Sequence, residues 1–555
     1  MGLLFSGRDR NLYFMAFGHI FKKIAVPASH LPTVFFIIGY PFFWLELYSH
    51  SALHGVTSPL AWVLWSAAAL ISVGAGAGNY SNGLISLWQS WDRLEKWLWS
   101  AGLCLAFIIL GIVLVAALKP IHLLQEADCM QYHYTLPRQH LILGSFSHIP
   151  WAADDLFLLP VEFALAPFWF AAFLPNKIPQ FILLLGLIGV AARLTSSLAA
   201  GKRPWAGFLM VLFILGTHGF GIQMGTGMLD LAIAYLLLAS LDSLLLGNWF
   251  LAGVEFTFFF WSKPLMPAAL LVTAGIWAVL FVLARQTRWQ MTEIFNFKNW
   301  RMALGSFFIM SLAVAGPFIA KSVDYAGTPF FPLAPGIMET DARIKAHPQA
   351  WQSLRKASIW IQATKNGYGH GRDIWSFIKH LWLVAVPEKG VNNSFDYPLG
   401  LTYLLLMGPF LFYLIKDISG RKFPSLSVLA AVIWMLWWFG PQQTRFLYVP
   451  LFIIFMVTIS RLENIPKPLI LCLLISLFIE SVSVWGAHKA DIGRWGIEVL
   501  RSQDRQLVDK SKAYIQQKAA GYVDWPVHDV AYAQFPVRVT KEALPRTNAF
   551  DILVL

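Results

Sequence analysis

Charge is what this sequence has least of. Only 13% of its 555 residues are Asp, Glu, Lys or Arg, about half the share of an ordinary soluble chain. Cysteine is scarce too: Cys104, Cys129 and Cys472, the first and last inside apolar stretches, give neither a disulfide framework nor metal-ligand spacing. No GxGxxG or GxxxxGK[ST] segment occurs, so no motif holds a soluble nucleotide. Internal repeats of 20 to 50 residues and low-complexity tracts are missing, which excludes solenoids and biased linkers. Alternating strand patterns are missing as well, which excludes a membrane barrel. No cleavable signal peptide is visible. The first 28 residues carry Arg8, Arg10, Lys22 and Lys23 in a weakly amphipathic run that reads as lying on the cytoplasmic surface.

What is abundant is apolar surface. Hydrophobic residues make up 57% of the chain, including 25 Trp and 44 Phe. Apolar windows long enough to cross about 30 Å of hydrocarbon recur along it, and helices close their own backbone hydrogen bonds there. The windows lie near 30–49, 58–78, 98–118, 178–198, 204–222, 225–246, 247–263, 264–284, 302–320, 397–415, 424–440, 446–460 and 467–485. The chain therefore reads as an all-α polytopic membrane protein of about 13 transmembrane helices, residues 1–485, with a tail at 486–555. The tail reads as an amphipathic helix to about Ala519 and then as Pro-punctuated chain.

The window at 155–175 is ambiguous, because it opens on Asp154 and Asp155 and contains Pro160, Glu162 and Pro167. Loop charge decides. If it does not cross, Arg93, Lys96, Lys202, Arg203, Arg285, Arg288, Lys298, Lys416, Arg421, Lys422 and Arg461 fall on one side with the N-terminus, the cytoplasmic one. The net charge of +12 is then a matter of topology in the plasma (inner) membrane, and nucleic acid is not an expected partner. This arrangement puts the loops at 119–176 and 321–396, the 217–230 corner and the tail on the outer face.

The candidate residues gather on that face. In DCMQYHYTLPRQHLILG, residues 128–144, Asp128 lies five residues before His133, flanked by Tyr132 and Tyr134. An acid, an imidazole and two phenols can line one pocket; a solvated loop acid beside an interfacial aromatic belt is the plainer reading. Asp230 opens an apolar helix after the glycine-rich THGFGIQMGTG, which holds His218; a helix-start acid favoured by the dipole is the alternative there. Lys263 ends GVEFTFFFWSKP, with Glu255 two turns earlier on much the same face, so the two either neutralise each other or Lys263 snorkels to the interface. Arg445 in GPQQTRFLYVP is the other outer cation. Together they suit a reaction needing a base for an acceptor hydroxyl and positive charge for a departing phosphate. Carboxylates and His133 are compatible with a divalent metal, but no spacing demands one.

The segment at 128–144 resembles the acid-x-x-x-Tyr-His, Pro, Gly pattern in the first large outer loop of bacterial GT-C superfamily glycosyltransferases, such as protein O-mannosyltransferases and aminoarabinose transferases. Further segments are similar in the same order: LFLLPVEFAL with Pro160 and Glu162, GTGMLDLAIAYLLLA with Asp230, FTFFFWSKPL with Lys263, AGPFIAKSVDYAGTPFFPLAP, and TRFLYVP with Arg445. The resemblance spans roughly 119–455. It departs from the pattern at Thr328, where the family has Asn, and at Lys321, in a region often carrying Arg and Asn.

The resemblance implies a GT-C-like bundle that moves a sugar, with inversion, from a polyprenyl-phosphate donor to a lipid, glycan or protein hydroxyl. It implies Asp128 as catalytic base. Glu162 and Asp230 would shape the pocket beside Tyr132, His133 and His218, and Lys263 and Arg445 would bind the lipid phosphate. Two readings of other classes stand beside it: a transporter or lipid flippase, which Glu255 favours, and a catalytically silent lipid-binding scaffold.

Overall fold

The structure is a computed structural model, and it describes residues 27–49, 56–76, 92–118, 129–149, 153–169, 177–199, 203, 205–263, 266–293, 299–329, 331, 369, 371–385, 398–440, 442–463 and 467–492. Asp128 and the tail beyond 492 lie outside the described residues.

Helices dominate, as low charge and long apolar windows require. In chain order they are α1 Thr33–Tyr48, α2 Thr57–Gly76, α3 Arg93–Ala117, α4 Thr135–Leu143, α5 Pro160–Trp169, α6 Ile178–Leu198, α7 Trp205–Leu215, α8 His218–Gln223 and α9 Asp230–Leu246. They continue as α10 Trp249–Phe260, α11 Met266–Gln286, α12 Trp300–Ala326, α13 Ile374–Leu383, α14 Leu401–Ser419, α15 Ser425–Phe439, α16 Tyr448–Arg461 and α17 Lys467–Ile492. Two three-residue strands, β1 Gln290–Thr292 and β2 Lys422–Pro424, pair in parallel with Gln290 opposite Lys422.

Each of the thirteen apolar windows holds a described helix. Eight helices among the described residues are long and apolar enough to cross a membrane, and four more apolar helices are shorter. The ambiguous 155–175 window contains the ten-residue α5, every residue of it buried. Ten helical residues rise about 15 Å, half of a hydrocarbon core. The window at 204–222 is broken at Gly216 and Thr217 into α7 and α8, and the next helix starts only at Asp230.

Side-chain size sets the packing. α1 lies against α5, where a Cβ on Gly39 would come within 1.8 Å of the Ala164 carbonyl oxygen, so glycine is what lets the two backbones meet. α9 is buried over most of its surface between α6 and α10, and α10 packs on α12. Gly247, at φ +77°, closes α9, and Asn248 starts α10 by accepting a hydrogen bond from the Leu251 N–H at 3.2 Å. α3 opens on a reciprocal cap between Asp92 and Glu95 and packs along α17. α11 lies at the margin, with Leu271, Val279, Val282 and Leu283 exposed, as lipid-facing surface would be.

Candidate functional site

The described structure brings together three of the expected residues, which are 215 positions apart in sequence at the extremes. Asp230 sits in the first turn of α9 and is buried; Lys263 follows the end of α10 and sets its Nζ 2.6 Å from Asp230 Oδ1. Gln223, the last residue of α8, donates to Asp230 Oδ2 at 3.1 Å. Arg445 stands in the short 3-10 turn Thr444–Leu447 ahead of α16 and acts on the Asp230 carboxylate through space. Phe446 lies between the two cations, its ring centre 5.1 Å from Lys263 Nζ and 5.5 Å from the Arg445 guanidinium. Among these described side chains two cations therefore face one carboxylate. The Lys263 side chain is 22% exposed, against 6% for Asp230, so the cation is the member an incoming anion meets.

The segment after Asp128 is seated on the same corner. Cys129–His133 forms a π-helical turn, and the Tyr134 N–H closes it on the Cys129 carbonyl at 2.9 Å. Tyr134 stacks on Trp169 with ring centres 4.0 Å apart. Gln180 donates to the Tyr134 hydroxyl at 2.9 Å and to the Gly227 carbonyl at 3.5 Å. A Cβ on Gly227 would lie 2.9 Å from the Tyr134 ring and 3.1 Å from Cys129 Sγ, so this turn rests on the loop that feeds Asp230. Gln180, Gln223, Thr226 and Met228 line a cavity of about 10 Å³ there, room for about one water. The contact foreseen between Asp128 and the two cations lies outside the described residues.

The remaining expected residues form pairs of their own. His133 Nδ1 is 2.8 Å from Glu162 Oε1, both side chains are buried, and Tyr132 packs on the imidazole at 4.1 Å. Glu162 Oε2 has no hydrogen-bond partner among the described residues. His218, at the start of α8, meets Glu480 of α17, with Nδ1 2.9 Å from Oε2 and Ser483 Oγ at 3.4 Å. The pairing considered between Glu255 and Lys263 is not what the structure shows. Glu255 instead accepts from Thr33 at 2.5 Å and Ser243 at 2.7 Å, and its Oε1 is 2.8 Å from His30 Nδ1. Lying on much the same face of α10 was not enough, because Glu255 is taken up by His30, Thr33 and Ser243 while Lys263 turns to the start of α9.

Two buried networks escaped the sequence reading. In one, His30 bridges Glu255 and Asp242, the latter 2.6 Å from Nε2, and Arg193 pairs with Asp242 while its Nη2 donates to Ser29 at 2.9 Å. An imidazole satisfies two carboxylates only by donating from both nitrogens. Asp242 lies twelve residues beyond Asp230 on α9, about 18 Å along the axis, so this network and the Asp230 group occupy different levels of the bundle.

In the second network Asp155, in the 3-10 turn Ala153–Leu156, has four donors. His140 Nε2 and Lys321 Nζ stand 2.6 and 2.9 Å from Oδ1, while the Ile149 N–H and His148 Nδ1 stand 2.7 and 3.2 Å from Oδ2. Lys321 Nζ also sits 4.0 Å over the Phe146 ring. Burial alone would raise the Asp155 carboxyl, but Lys321, His140 and His148 together hold it well below the usual carboxylate range. Lys321 is thus engaged inside the fold and does not face a phosphate. No signal in the sequence joined it to Asp155, 166 residues earlier.

Among the described residues no group of three or more His, Cys, Asp and Glu side chains is arranged to hold a metal ion. No family model matches this chain, and no curated protein or solved structure matches it either.

Proposed function

We propose that the protein is an integral membrane glycosyltransferase that takes a sugar from a polyprenyl-phosphate donor and places it on an acceptor hydroxyl at the outer face of the plasma membrane. The observation that carries this reading is the approach of two cations, Lys263 and Arg445, to Asp230 from separate parts of the chain, with the lysine partly exposed. A departing phosphate gains a negative charge as the glycosidic bond breaks, and fixed cations lower the barrier in proportion to how little they must move. Lys263 is pinned by Asp230, and Arg445 by the turn before α16.

In the proposed reaction the acceptor oxygen attacks the anomeric carbon, its proton passes to Asp128, and the C–O bond to the phosphate breaks with its electron pair leaving on the phosphate. Inversion follows from a single displacement. Tyr132 and the His133–Glu162 pair fix one wall of the pocket next to the Cys129 turn; His218 and Asp230 shape the side formed by α8 and α9. The acceptor class is a lipid, a glycan or a protein.

The test is comparison of envelope glycans and lipid-linked sugars in a deletion strain, complemented with wild type or Asp128→Asn. A sugar that disappears on deletion, returns with wild type and stays absent with the variant is the expected result; restoration by Asp128→Asn refutes the base. A second reading, a transporter or lipid flippase, draws on the His30, Asp242, Glu255 and Arg193 network buried between α1, α6, α9 and α10. Under that reading purified protein moves a lipid-linked sugar across a liposome bilayer with no glycosidic bond broken.

A further inference from the structure

The end of the bundle remote from Asp230 carries a second surface with a chemistry of its own. α11 leaves the Lys263 corner and runs 21 residues, about 30 Å, before it ends at Gln286. There β1 and β2 bring together two loops more than 120 residues apart: the Gln290 N–H donates to the Arg421 carbonyl at 3.0 Å, and Gln290 registers with Lys422. Arg288 precedes β1 by two residues and Arg421 precedes β2 by one. Both hold left-handed backbones, at φ +59° and +54°, that turn the chain sharply at the pairing. Adjacent strands lie about 4.8 Å apart, so Arg288, Arg421 and Lys422 crowd one small patch.

All three are exposed, and none makes an ion pair with a described residue. The nearby acids are already engaged. Glu293 and Asp417 both pair with Arg461, at 2.6 and 2.5 Å, and Glu293 further accepts from the N–H and hydroxyl of Ser427. Among the described residues the patch is therefore basic, with no acid paired to it.

Below it the surface changes character within one helical turn. On α11, Leu283 is 51% exposed, and on α14, Ile415 is 65% exposed. Beneath the pairing, a small buried apolar cluster of Ala284 of α11, Phe423 of β2 and Val428 and Val432 of α15 ties these elements together, with Phe281 of α11 and Leu414 of α14 packed against it. Exposed cations above exposed apolar side chains match one molecule: an anionic phospholipid, its headgroup on the β1–β2 patch and its chains along the exposed faces of α11 and α14.

We infer that this patch is a binding site for an anionic phospholipid of the facing leaflet. Ordinary sorting of cations to span ends places charge, but it does not require two loops to be stapled by a parallel sheet or local acids to be taken up by Arg461.

Full-length protein in detergent, titrated with dioleoylphosphatidylglycerol or dioleoylphosphatidylcholine and read by native mass spectrometry, tests it. The anionic lipid should stay bound at far lower concentration. Arg288→Gln, Arg421→Gln and Lys422→Gln should each weaken it roughly five-fold, and the three together should erase the difference between the lipids. Arg288→Lys with Arg421→Lys should keep most of it, and Lys379→Gln, an exposed cation on α13, should leave it unchanged. Equal retention of both lipids, a preference that survives the triple variant, an equal loss on Lys379→Gln, or displacement of the lipid by glycerol phosphate alone overturns the inference. None of these outcomes depends on sugar transfer.

Discussion

Asp155 and Asp230 are both buried carboxylates near the ends of helices, each with a lysine within 3 Å, yet they are built for different ends. Asp155 is saturated: four donors surround it, Lys321 is buried with it, and nothing is left to meet a ligand. Asp230 has Lys263 and Gln223 for direct partners, and its lysine reaches partly into the open beside Arg445. The difference separates a clamp from a site. A buried ion pair that is complete holds helices and loops in register, whereas one with a partly exposed cation fits the phosphate-binding role proposed above.

The largest effect expected from this contrast is on stability. Asp155→Ala leaves Lys321 charged and enclosed, and should cost about 3 to 5 kcal/mol, seen as a large fall in thermal unfolding temperature in detergent; a variant as stable as wild type would remove the distinction. Lys263→Ala should act more on turnover, lowering transfer about 100-fold or more with a smaller fall in unfolding temperature, because Gln223 and Arg445 still act on Asp230. Gly227→Ala, which presses a methyl on Tyr134 and Cys129, should cost about 1 to 3 kcal/mol and reduce transfer too, because it pushes the Cys129 turn off the Asp230 loop.

The smallest effect is in pH. The Asp155 carboxyl lies well below its unfolded value of about 3.9, so its contribution is fully present above that value and is lost as pH falls through the folded one. Wild type should therefore lose stability below about pH 4 in an acid titration of unfolding, and Asp155→Asn should be flatter over the same range.

The helices were legible because hydropathy is a local property: thirteen apolar windows were read, and each holds a helix. Lys263 and Arg445 were legible for a related reason, since a cation closing an apolar run stands at the water boundary. They were expected beside Asp128, which lies outside the described residues, and their approach to Asp230 left no mark in the sequence. What stayed hidden depends on which helix packs beside which. His30 meets Glu255 across 225 residues, and Lys321 reaches Asp155 across 166. Neither pairing leaves a spacing in the chain, because packing angle and depth decide it. Glu255 and Lys263 show the hazard of reasoning from one helix face: both lie on or just beyond α10, yet each chose a partner on another element.

The turn at Gly247 and Asn248 has a mechanical meaning. It joins α9 and α10 as two rods meeting at one end, with Asp242 and Glu255 riveted to His30 not far from the turn and Asp230 and Lys263 paired at the far ends. Such a pair is braced at three points: the turn, the histidine and the lysine. The spacing of the two helices is thus set at two levels about 18 Å apart along α9, by a histidine at one and a lysine at the other.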